Sequence, residues 1–358
     1  MNAMVLGAGL GRRMLPLTLQ MPKPAIPVLG RPMAVQVLQR LALWGVTRTV
    51  INLHHLPDQL KALLGRGGLN GLPSIEFSFE ETILGTGGGL RKAAPLLRGQ
   101  GPLVVCNCDF LADIDIEAAM QAHARSGNLA TLVLIPARPG YSVVEVATDG
   151  QILSLAGQPP AEPARVAEHC LFTGMHIIDE RVLDLIPGPG PSSIVTDVYR
   201  GLAAKGRLGA FMHAGFWWEF GSPSLYLEGS LRLFDLDLEQ RLAVADHDKI
   251  EEVRGARIAL GPGAAIDDSA EIIGCAAFGF ASRIGEDCSV EDSVIMPETW
   301  IGPDCRIRRC VIAQGLEISA GFEAENAVVC ADQGVGNDLP AATRRSGSYL
   351  IHPLDPAG

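Results

Sequence analysis

The sequence has little positive charge. Its 29 lysines and arginines are outnumbered by 40 aspartates and glutamates, which gives a formal net charge of −11. A nucleic-acid partner presents phosphates that require a basic surface, so nucleic acid is not expected as a partner. An anionic substrate would need a local cluster of basic side chains against this acidic background.

Long apolar runs are also scarce, and the first residues do not resemble a signal peptide. No stretch stays apolar for the length that a membrane span requires, so no membrane partner is expected. The segment Met1–Leu6 has no basic flank and leads straight into a glycine-rich loop, unlike a signal peptide. Together these absences predict a cytoplasmic protein.

The cysteines and histidines lack the spacing of a disulfide framework or a zinc site. Eight cysteines are spread along the chain, and the nearest two, Cys106 and Cys108, form only a CxC motif. The adjacent histidines His54 and His55 have no cysteine near them. The pattern predicts reduced thiols and gives no indication of zinc.

Strand and helix patterns alternate through residues 1–240. Ala3–Leu6 and Thr47–Leu53 are short apolar runs, and Met33–Leu43 between them has helical character. Repeated β–α units of this kind favour a mainly parallel sheet with helices on both faces. We therefore predict an α/β fold with a Rossmann-like sheet for residues 1–240, followed by a linker at 241–256.

Residues 257–333 follow a six-residue period. A large side chain recurs at every sixth position, and a small or modest one follows each of them four places later. This double periodicity predicts a left-handed parallel β-helix, in which each hexapeptide forms one side of a triangular coil. The large positions are Ile266, Ile272, Phe278, Ile284 and Val290, and the smaller ones are Ala270, Ala276, Ser282, Cys288 and Val294.

The predicted β-helix lacks a residue for chemistry of its own. No histidine occurs between Arg257 and Asp332, and an acyltransferase would need one as a base. The coils expose edges that neighbouring copies tend to bury. We therefore expect the β-helix to be a scaffold that assembles a homo-oligomer, and the polar tail at 334–358 to run along the surface.

A glycine-rich loop, Gly7–Gly11, follows the first predicted strand. Backbone N–H groups in such a loop bind phosphate oxygens, and glycine allows close approach. The loop is not a dinucleotide-binding motif, because Arg12 stands where that motif needs its third glycine. It is not a Walker motif either, because no Gly-Lys-Ser/Thr ends it. Arg13 and Lys23 lie in stiff glycine and proline segments, which favours phosphate binding, whereas Arg12 is equally compatible with a solvated surface position.

The stretch from Leu6 to Thr18, read with Pro22-Lys23-Pro24, resembles the opening motif of sugar-1-phosphate nucleotidylyltransferases. The usual form begins Leu-Ala-Ala-Gly, so Gly7 is a mild departure. The resemblance covers roughly the first two-thirds of the chain, and in several branches of this family a β-helix follows. Its further motifs are Leu84–Gly88, Asn107-Cys108-Asp109, Phe172-Thr173-Gly174 and Trp217–Pro223.

The resemblance implies a Mg²⁺-dependent attack of a sugar 1-phosphate on the α-phosphorus of a nucleoside triphosphate, with release of pyrophosphate. Arg13, Lys23 and Asp109 would be the catalytic residues, with Asp109 as a metal ligand. Asp109 also follows an apolar strand, where functional residues of parallel sheets gather; capping of a turn is the other common role at such a position. Glu219 stands where the family has a second metal aspartate, and a structural carboxylate is its alternative.

The resemblance also assigns the substrate contacts. Gln158 replaces a lysine that binds the sugar phosphate in many members; it carries no charge, and Arg165 is a candidate to supply one. Gly85–Gly88 resembles the loop that passes along the base and the ribose of the nucleotide. The alternative role for this segment is an ordinary turn before a helix. The implied nucleotide-binding residues are Leu6, Gly7, Ala8, Gly9, Gly11, Arg12, Gly85, Thr86, Gly87 and Asn107, and the implied sugar-binding residues are Glu80, Gln158, Thr173 and Gly174.

Alternatives to an enzyme that uses GTP with mannose 1-phosphate or a related sugar stay open. The segment Ile51–Asp58 resembles the guanylyltransferase branch, but a uridylyltransferase acting on an amino sugar phosphate has a similar opening motif. A non-catalytic homologue that binds sugar nucleotides as a regulatory subunit is favoured by Glu219 and Gln158. The three intact catalytic residues argue against it.

Overall fold

The computed structural model describes residues 1–65, 71–245, 250–334 and 339–354. Within those ranges no helix combines the length and the apolar character that a membrane crossing demands. All eight cysteines are buried thiols. Burial raises the pKa of the Cys106 thiol far above its usual range, so this sulfur stays protonated at neutral pH and is a poor nucleophile.

The chain forms two compact units, each built from two separate segments. The first comprises Met1–Leu10 and Val37–Trp217, and the second comprises Gly11–Gln36 and Trp218–Gly358. The basic segment that follows the glycine-rich loop therefore belongs to the same unit as the hexapeptide region.

A nine-stranded mixed sheet forms the centre of the first unit, in the order β7-β6-β8-β4-β1-β2-β3, with β5 paired to β8 and β9 paired to β5. Its strands are β1 (Asn2–Leu6), β2 (Arg48–Leu53), β3 (Ser74–Phe79), β4 (Leu103–Asn107), β5 (Ala130–Pro136), β6 (Val143–Val146), β7 (Ile152–Leu155), β8 (Glu168–Ile178) and β9 (Leu208–Met212). The helices up to Trp217 are α1 (Met33–Leu43), α2 (Pro57–Leu64), α3 (Gly85–Leu97), α4 (Ile116–Ser126) and α5 (Arg200–Ala204).

The four neighbouring strands β4, β1, β2 and β3 are parallel. Met4, Val50 and Val104 on these strands are at most 1% exposed, as expected where helices cover both faces of a parallel sheet. The antiparallel strand β8 pairs with β4 on the other side. This arrangement confirms the predicted mainly parallel, Rossmann-like α/β fold.

The parallel strands end along one edge of the sheet. Leu6 at the end of β1 pairs with Asn107 at the end of β4, and Leu53 at the end of β2 pairs with Phe79 at the end of β3. The segments that leave these strands therefore lie side by side. This edge is where ligands bind in open α/β sheets.

Parallel ladders of short strands build the hexapeptide region of the second unit. Ile266 pairs with Ile284, Ile284 with Ile301, and Ile301 with Ile318, so equivalent residues of successive coils stack on one another. The strands are β10 (Glu251–Val253), β11 (Ala256–Leu260), β12 (Ala265–Ile266), β13 (Glu271–Phe278), β14 (Arg283–Ile284), β15 (Ser289–Ile295), β16 (Trp300–Ile301), β17 (Arg306–Arg308), β18 (Val311–Ile312), β19 (Glu317–Ile318), β20 (Glu323–Glu325), β21 (Ala327–Ala331), β22 (Arg344–Ser346) and β23 (Tyr349–Pro353). This confirms the predicted β-helix.

The C-terminal tail corrects one expectation. Rather than running over the surface, β22 and β23 form a hairpin, and β23 pairs antiparallel with β21. Leu350 and Ile351 are buried, and they lie in register with Cys330 and Val329 of β21. The end of the tail, 355–358, lies outside the described residues.

Two helices precede the β-helix in the second unit, α6 (Pro223–Arg232) and α7 (Leu238–Ala245). The side chain of Ser222 caps α6 by accepting a hydrogen bond from the N–H of Leu225 at 3.3 Å. α6 packs against β13 and β15. Its buried Tyr226 donates a hydrogen bond to the carbonyl of Pro27 at 2.5 Å, which ties α6 to the segment that follows Lys23.

Candidate active site

The first glycine-rich loop is held by a buried asparagine. The N–H of Gly7 donates to Oδ1 of Asn52 at 2.8 Å, and Asn52 is buried at the end of β2. Ala8 is buried, whereas Gly9 is exposed, and a Cβ added to Gly9 would meet no atom within 4 Å. Gly9 therefore presents open backbone, the property that a phosphate-binding loop requires.

The second glycine-rich loop packs closely against the protein itself. Gly85 begins α3 with a φ of +70°, and a Cβ on it would lie 2.6 Å from the carbonyl oxygen of Ser192. The N–H of Gly87 donates to the same oxygen at 2.9 Å, and the hydroxyl of Thr86 accepts from the N–H of Ile194 at 3.0 Å. These internal contacts account for the glycines, and nucleotide binding by this loop stays a prediction.

Glu80, assigned by resemblance to the sugar or the base, is only 1% exposed. Its Oε1 accepts a hydrogen bond from Nδ2 of Asn52 at 2.8 Å, and its Oε2 accepts one from the N–H of Leu84 at 2.8 Å. Both oxygens are therefore engaged within the protein.

Asn107 and Asp109 lie at the end of β4 and just beyond it, and both are half-buried. A bulge between Phe172 and His176 in β8 carries Gly174, where the φ of +86° and the nearby Nδ2 of Asn107, 2.6 Å from a Cβ position, require glycine. Bulges often lie beside active sites because they redirect the chain. The structure thus brings the predicted nucleotide residue Asn107 and the predicted sugar residue Gly174 together.

Thr173, next to Gly174, has its hydroxyl engaged by the fold. The hydroxyl donates to the carbonyl of Val133 at 2.8 Å and accepts from the N–H of Met175 at 3.3 Å. The residue is 2% exposed. Any sugar contact by Thr173 would therefore have to use its backbone.

An aromatic and basic cluster adjoins Thr173, and of its members the motifs include only Trp217. The indole of Trp217 donates to the carbonyl of Thr173 at 3.0 Å, and its ring lies 6.5 Å from that of Phe110 and 6.1 Å from that of Tyr141. The guanidinium of Arg138 lies 5.4 Å from the centre of the Trp217 ring, a cation–π contact. Nothing in the sequence of the loop after β5 marks Arg138.

Arg13 and Glu219, both in the second unit, form an ion pair. Nη2 of Arg13 donates to Oε1 of Glu219 at 2.8 Å, with the arginine side chain 68% exposed and the glutamate side chain 14% exposed. A Cβ on Gly221 would lie 2.3 Å from Oε1 of Glu219. A side chain at position 221 would therefore displace the Glu219 carboxylate from its present position. The pair joins a predicted catalytic residue to a predicted metal ligand.

Lys23 lies in the short 3₁₀ helix Lys23–Ala25 and is 9% exposed. Gly11 has a φ of +63°, and a Cβ on it would lie 2.8 Å from Cγ2 of Thr18. The hydroxyl of Thr18 donates to the carbonyl of Gly11 at 2.9 Å. Thr18 thus fixes the conformation of the loop at Gly11. Arg12 occupies an exposed position.

Gln158 and Arg165 are both exposed. The backbone of Gln158 closes the turn after β7, where its N–H donates to the carbonyl of Leu155 at 3.2 Å. Among the residues with described positions, neither side chain has a hydrogen bond or an ion pair that orients it. Their roles in binding the sugar phosphate stay predictions.

In the segment before Trp217, the buried His213 lies beside Asp113. Nε2 of His213 lies 3.0 Å from the carbonyl oxygen of Phe216 and 3.2 Å from Oδ1 of Asp113. Burial alone would lower the pKa of His213, but the Asp113 carboxylate and the Phe216 carbonyl outweigh burial and raise it. No sequence signal marks this pair, because its members are about a hundred residues apart and match no motif.

Two family models match the chain. The one described as Nucleotidyl transferase matches residues 2–235, and the one described as GlmU-like, C-terminal hexapeptide matches residues 251–329. Together they cover the sheet with its site and the β-helix.

Known relatives cover most of the chain. A mannose-1-phosphate guanylyltransferase of Mycobacterium tuberculosis is 28% identical over 86% of this chain and 83% of its own length. A UTP–glucose-1-phosphate uridylyltransferase of Synechocystis is 28% identical over 89% of this chain and 90% of its own. A mannose-1-phosphate guanyltransferase of Emericella nidulans is 27% identical over 98% of this chain and 96% of its own length.

The fold is also similar to that of a solved structure. The crystal structure of HddC from Yersinia pseudotuberculosis has a TM-score of 0.54 and 20% identity, covering 64% of this chain and 98% of that one. Because the Nucleotidyl transferase model spans well over half of the sequence, and named transferases align along nearly all of it, this chain is a nucleotidyltransferase enzyme of that family.

Proposed function

We propose that this enzyme joins a nucleoside triphosphate to a sugar 1-phosphate, with GTP and mannose 1-phosphate or a related sugar as its substrates. The observation that carries the proposal is the edge of the sheet where the open backbone of Gly9 follows β1 and the Asn107–Asp109 segment follows its neighbour β4. A triphosphate and a carboxylate for its metal ion can meet at such an edge. Relatives named as guanylyltransferases support the choice of base and sugar.

The reaction begins with an oxygen of the sugar phosphate, which attacks the α-phosphorus of the nucleotide. The bond from that phosphorus to the oxygen bridging it to the β-phosphorus breaks, and pyrophosphate takes the electron pair. Two anions must approach, so the task of the chain is to position them and neutralise their charge. In this proposal Arg13 binds the α-phosphate and the leaving group, and Lys23 binds the other phosphates.

The carboxylates proposed as metal ligands suit Mg²⁺. Asp109 and Glu219 offer hard oxygen donors, and Mg²⁺ is usually held by one or two carboxylates, with waters and substrate phosphates completing its shell. The described part of the chain has no cluster of three or more acidic, histidine or cysteine side chains that would form a fuller protein cage. When bound, Mg²⁺ would neutralise charge on the phosphate oxygens.

We propose the following organisation around this chemistry. Residues 1–240 are the catalytic domain, and residues 241–256 are the linker to the β-helix. Residues 257–333 form the β-helix that assembles a homo-oligomer, and residues 334–358 are the tail. Buried thiols are suited to a reducing compartment, which supports a cytoplasmic location.

A uridylyltransferase is the second candidate. The relative from Synechocystis, named as a uridylyltransferase acting on glucose 1-phosphate, is as similar as the guanylyltransferase from Mycobacterium tuberculosis. A screen of pyrophosphate release over four nucleoside triphosphates and a panel of sugar 1-phosphates with Mg²⁺ separates the candidates. Highest kcat/KM with GTP and mannose 1-phosphate supports the proposal, and highest kcat/KM with UTP replaces it. Binding of a sugar nucleotide without turnover by any pair would identify a regulatory homologue.

A further inference from the structure

A continuous chain of hydrogen bonds joins the two glycine-rich loops. The N–H of Gly7 donates to Oδ1 of Asn52, Nδ2 of Asn52 donates to Oε1 of Glu80, and the N–H of Leu84 donates to Oε2 of Glu80. All three distances are 2.8 Å. Gly7 opens the first loop, and Leu84 directly precedes Gly85 of the second.

The chain is buried and closely packed. Asn52 is 3% exposed and Glu80 is 1% exposed. Gly89 of α3 comes so near that a Cβ on it would lie 2.8 Å from both Nδ2 of Asn52 and Oε1 of Glu80. The main chain of Glu80 is held as well, since its N–H donates to the carbonyl of Leu53 at 2.8 Å and its carbonyl lies 2.9 Å from Nδ1 of His54.

The order of donors and acceptors requires a carboxylate and an amide at positions 52 and 80. Each end of the chain is a backbone N–H, so each end needs an acceptor. One of the two side chains must then offer two acceptors, as a carboxylate does. The second side chain must offer an acceptor and a donor, as an amide does. A carboxylate buried to this extent is stable only when donors reach its oxygens, and here both oxygens have one.

We propose that Asn52 and Glu80 are a positioning pair, which fixes the backbone of both glycine-rich loops for the nucleoside triphosphate without touching it. The proposal rests on the proposed function, because that function assigns the two loops to the nucleotide. It gives Glu80 a role through the backbone of residues 7 and 84. The pair should therefore control the binding of the nucleotide more than that of the sugar 1-phosphate.

The test uses isosteric substitutions that change only donors and acceptors. In Glu80→Gln, one amide N–H must face another donor, whichever way Asn52 turns. In Asn52→Asp, a carboxylate oxygen faces an oxygen of Glu80. In the double variant Asn52→Asp/Glu80→Gln, the new carboxylate accepts from Gly7 and from the new amide, whose oxygen accepts from Leu84, so every hydrogen bond returns with the same net charge.

We expect each single variant to raise the KM for the nucleoside triphosphate at least about tenfold, the usual scale for an unsatisfied buried polar group. The KM for the sugar 1-phosphate should change less than about threefold. The double variant should recover the wild-type KM to within about threefold. Folded single variants with an unchanged nucleotide KM, or a double variant as impaired as the singles, would overturn the proposal.

Amide hydrogen exchange gives a readout that does not need turnover. The Gly7 and Leu84 amides should lose protection in both single variants and regain it in the double variant. Should wild type show no turnover with any substrate pair, the proposed function fails, whereas unchanged exchange at these amides would refute the positioning pair itself.

Gly89→Ala tests the pair by a change in α3, which packs against both side chains. It keeps the proposal testable if the single variants do not fold. The new Cβ would push against both side chains, although alanine favours a helix by itself, so the nucleotide KM should again rise about tenfold. Gly201→Ala in α5 is the matched control, because a Cβ there meets nothing within 4 Å. Equal kinetics of the two alanine variants would contradict the proposal.

Discussion

Arg13 donates a hydrogen bond to Oε1 of Glu219 at 2.8 Å, and the two side chains form an ion pair. An amide oxygen at position 219 could still accept from Arg13. Glu219→Gln therefore keeps the contact and removes only the negative charge. If Glu219 ligates Mg²⁺, this variant should lose kcat by about a hundredfold or more, the typical effect of removing one electrostatic stabiliser.

Glu219→Asp is the matched variant, because it keeps the charge and shortens the side chain. It should retain most activity at saturating Mg²⁺, with a change mainly in the Mg²⁺ concentration that gives half-maximal rate. Turnover and calorimetric nucleotide binding, measured on the same preparations, separate chemistry from binding. Robust turnover by Glu219→Gln would show that Glu219 is no ligand.

Asp109→Asn should remove activity and leave the fold intact. The side chain follows β4 at the edge of the sheet and is half-buried, so an amide of the same shape fits while binding Mg²⁺ poorly. We expect kcat to fall about a hundredfold or more, with an unchanged melting temperature in the absence of metal. Near-normal turnover at saturating Mg²⁺ would exclude a metal role and favour a turn-capping one.

The parts of the fold that could be predicted are those set by local sequence periodicity. Apolar runs such as Ala3–Leu6 predict the parallel strands, and the six-residue spacing from Ile266 to Val290 predicts the β-helix, because burial repeats with the backbone period. The C-terminal hairpin was missed, since pairing of Tyr349–Pro353 with Ala327–Ala331 is a tertiary contact between distant segments.

Motifs indicated individual site residues but not how their polar atoms pair. The sequence marks Glu80 and Thr173 as candidates, yet only the structure reveals that Asn52 and Leu84 engage both oxygens of Glu80 and that Val133 engages the Thr173 hydroxyl. Arg138 was missed for a related reason. Its contact with Trp217 joins segments about eighty residues apart, and no residue pattern encodes that proximity.

The His213–Asp113 pair predicts a pH dependence of stability. The pKa of His213 is raised above 6.5 in the folded protein, so folding favours the protonated ring. The resulting stabilisation is fully present below about pH 6.5, the unfolded pKa, and is lost as the pH rises through the folded pKa. Urea unfolding of wild type should therefore show a larger free energy of unfolding at about pH 6 than at about pH 8, relative to a variant without the pair.

Asp113→Asn is the variant for this comparison, because it removes the charge that attracts the proton and keeps the shape of the side chain. The difference in unfolding free energy between wild type and variant should shrink as the pH rises through this window. A ring titration by NMR should give a lower pKa for His213 in the variant. A difference independent of pH would mean that the pair acts only through packing.

Assembly through the β-helix can be tested at Trp300, an exposed aromatic residue on one of its ladders. Trp300 is 52% exposed and lies in register between Arg283 and Glu317 of neighbouring coils. Because an exposed tryptophan tends to be buried at interfaces, Trp300→Glu should give a smaller particle in light scattering. Arg306→Ala, on a different and highly charged ladder, should leave the particle unchanged. If wild type is a monomer, the scaffold prediction is wrong.

Arg138 is a candidate for the positive charge that Gln158 lacks. Its guanidinium rests on Trp217, whose indole binds the carbonyl of Thr173, and no carboxylate among the described residues pairs with it. If Arg138 binds the phosphate of the sugar 1-phosphate, Arg138→Gln should raise the KM for that substrate about tenfold or more, as for loss of a charged hydrogen bond. The nucleotide KM should stay nearly constant.

Arg165→Gln is the matched control, since it removes the same charge from another exposed position. Net charge changes equally in the two variants, so long-range attraction of the anionic substrate would affect both alike, whereas a direct contact would affect only one. Adding Gln158→Lys to Arg138→Gln should then lower the KM for the sugar 1-phosphate, because lysine at position 158 offers a new charge to the same phosphate. A larger defect in Arg165→Gln would transfer the role to Arg165, and a double variant without any recovery would mean that position 158 does not face the phosphate.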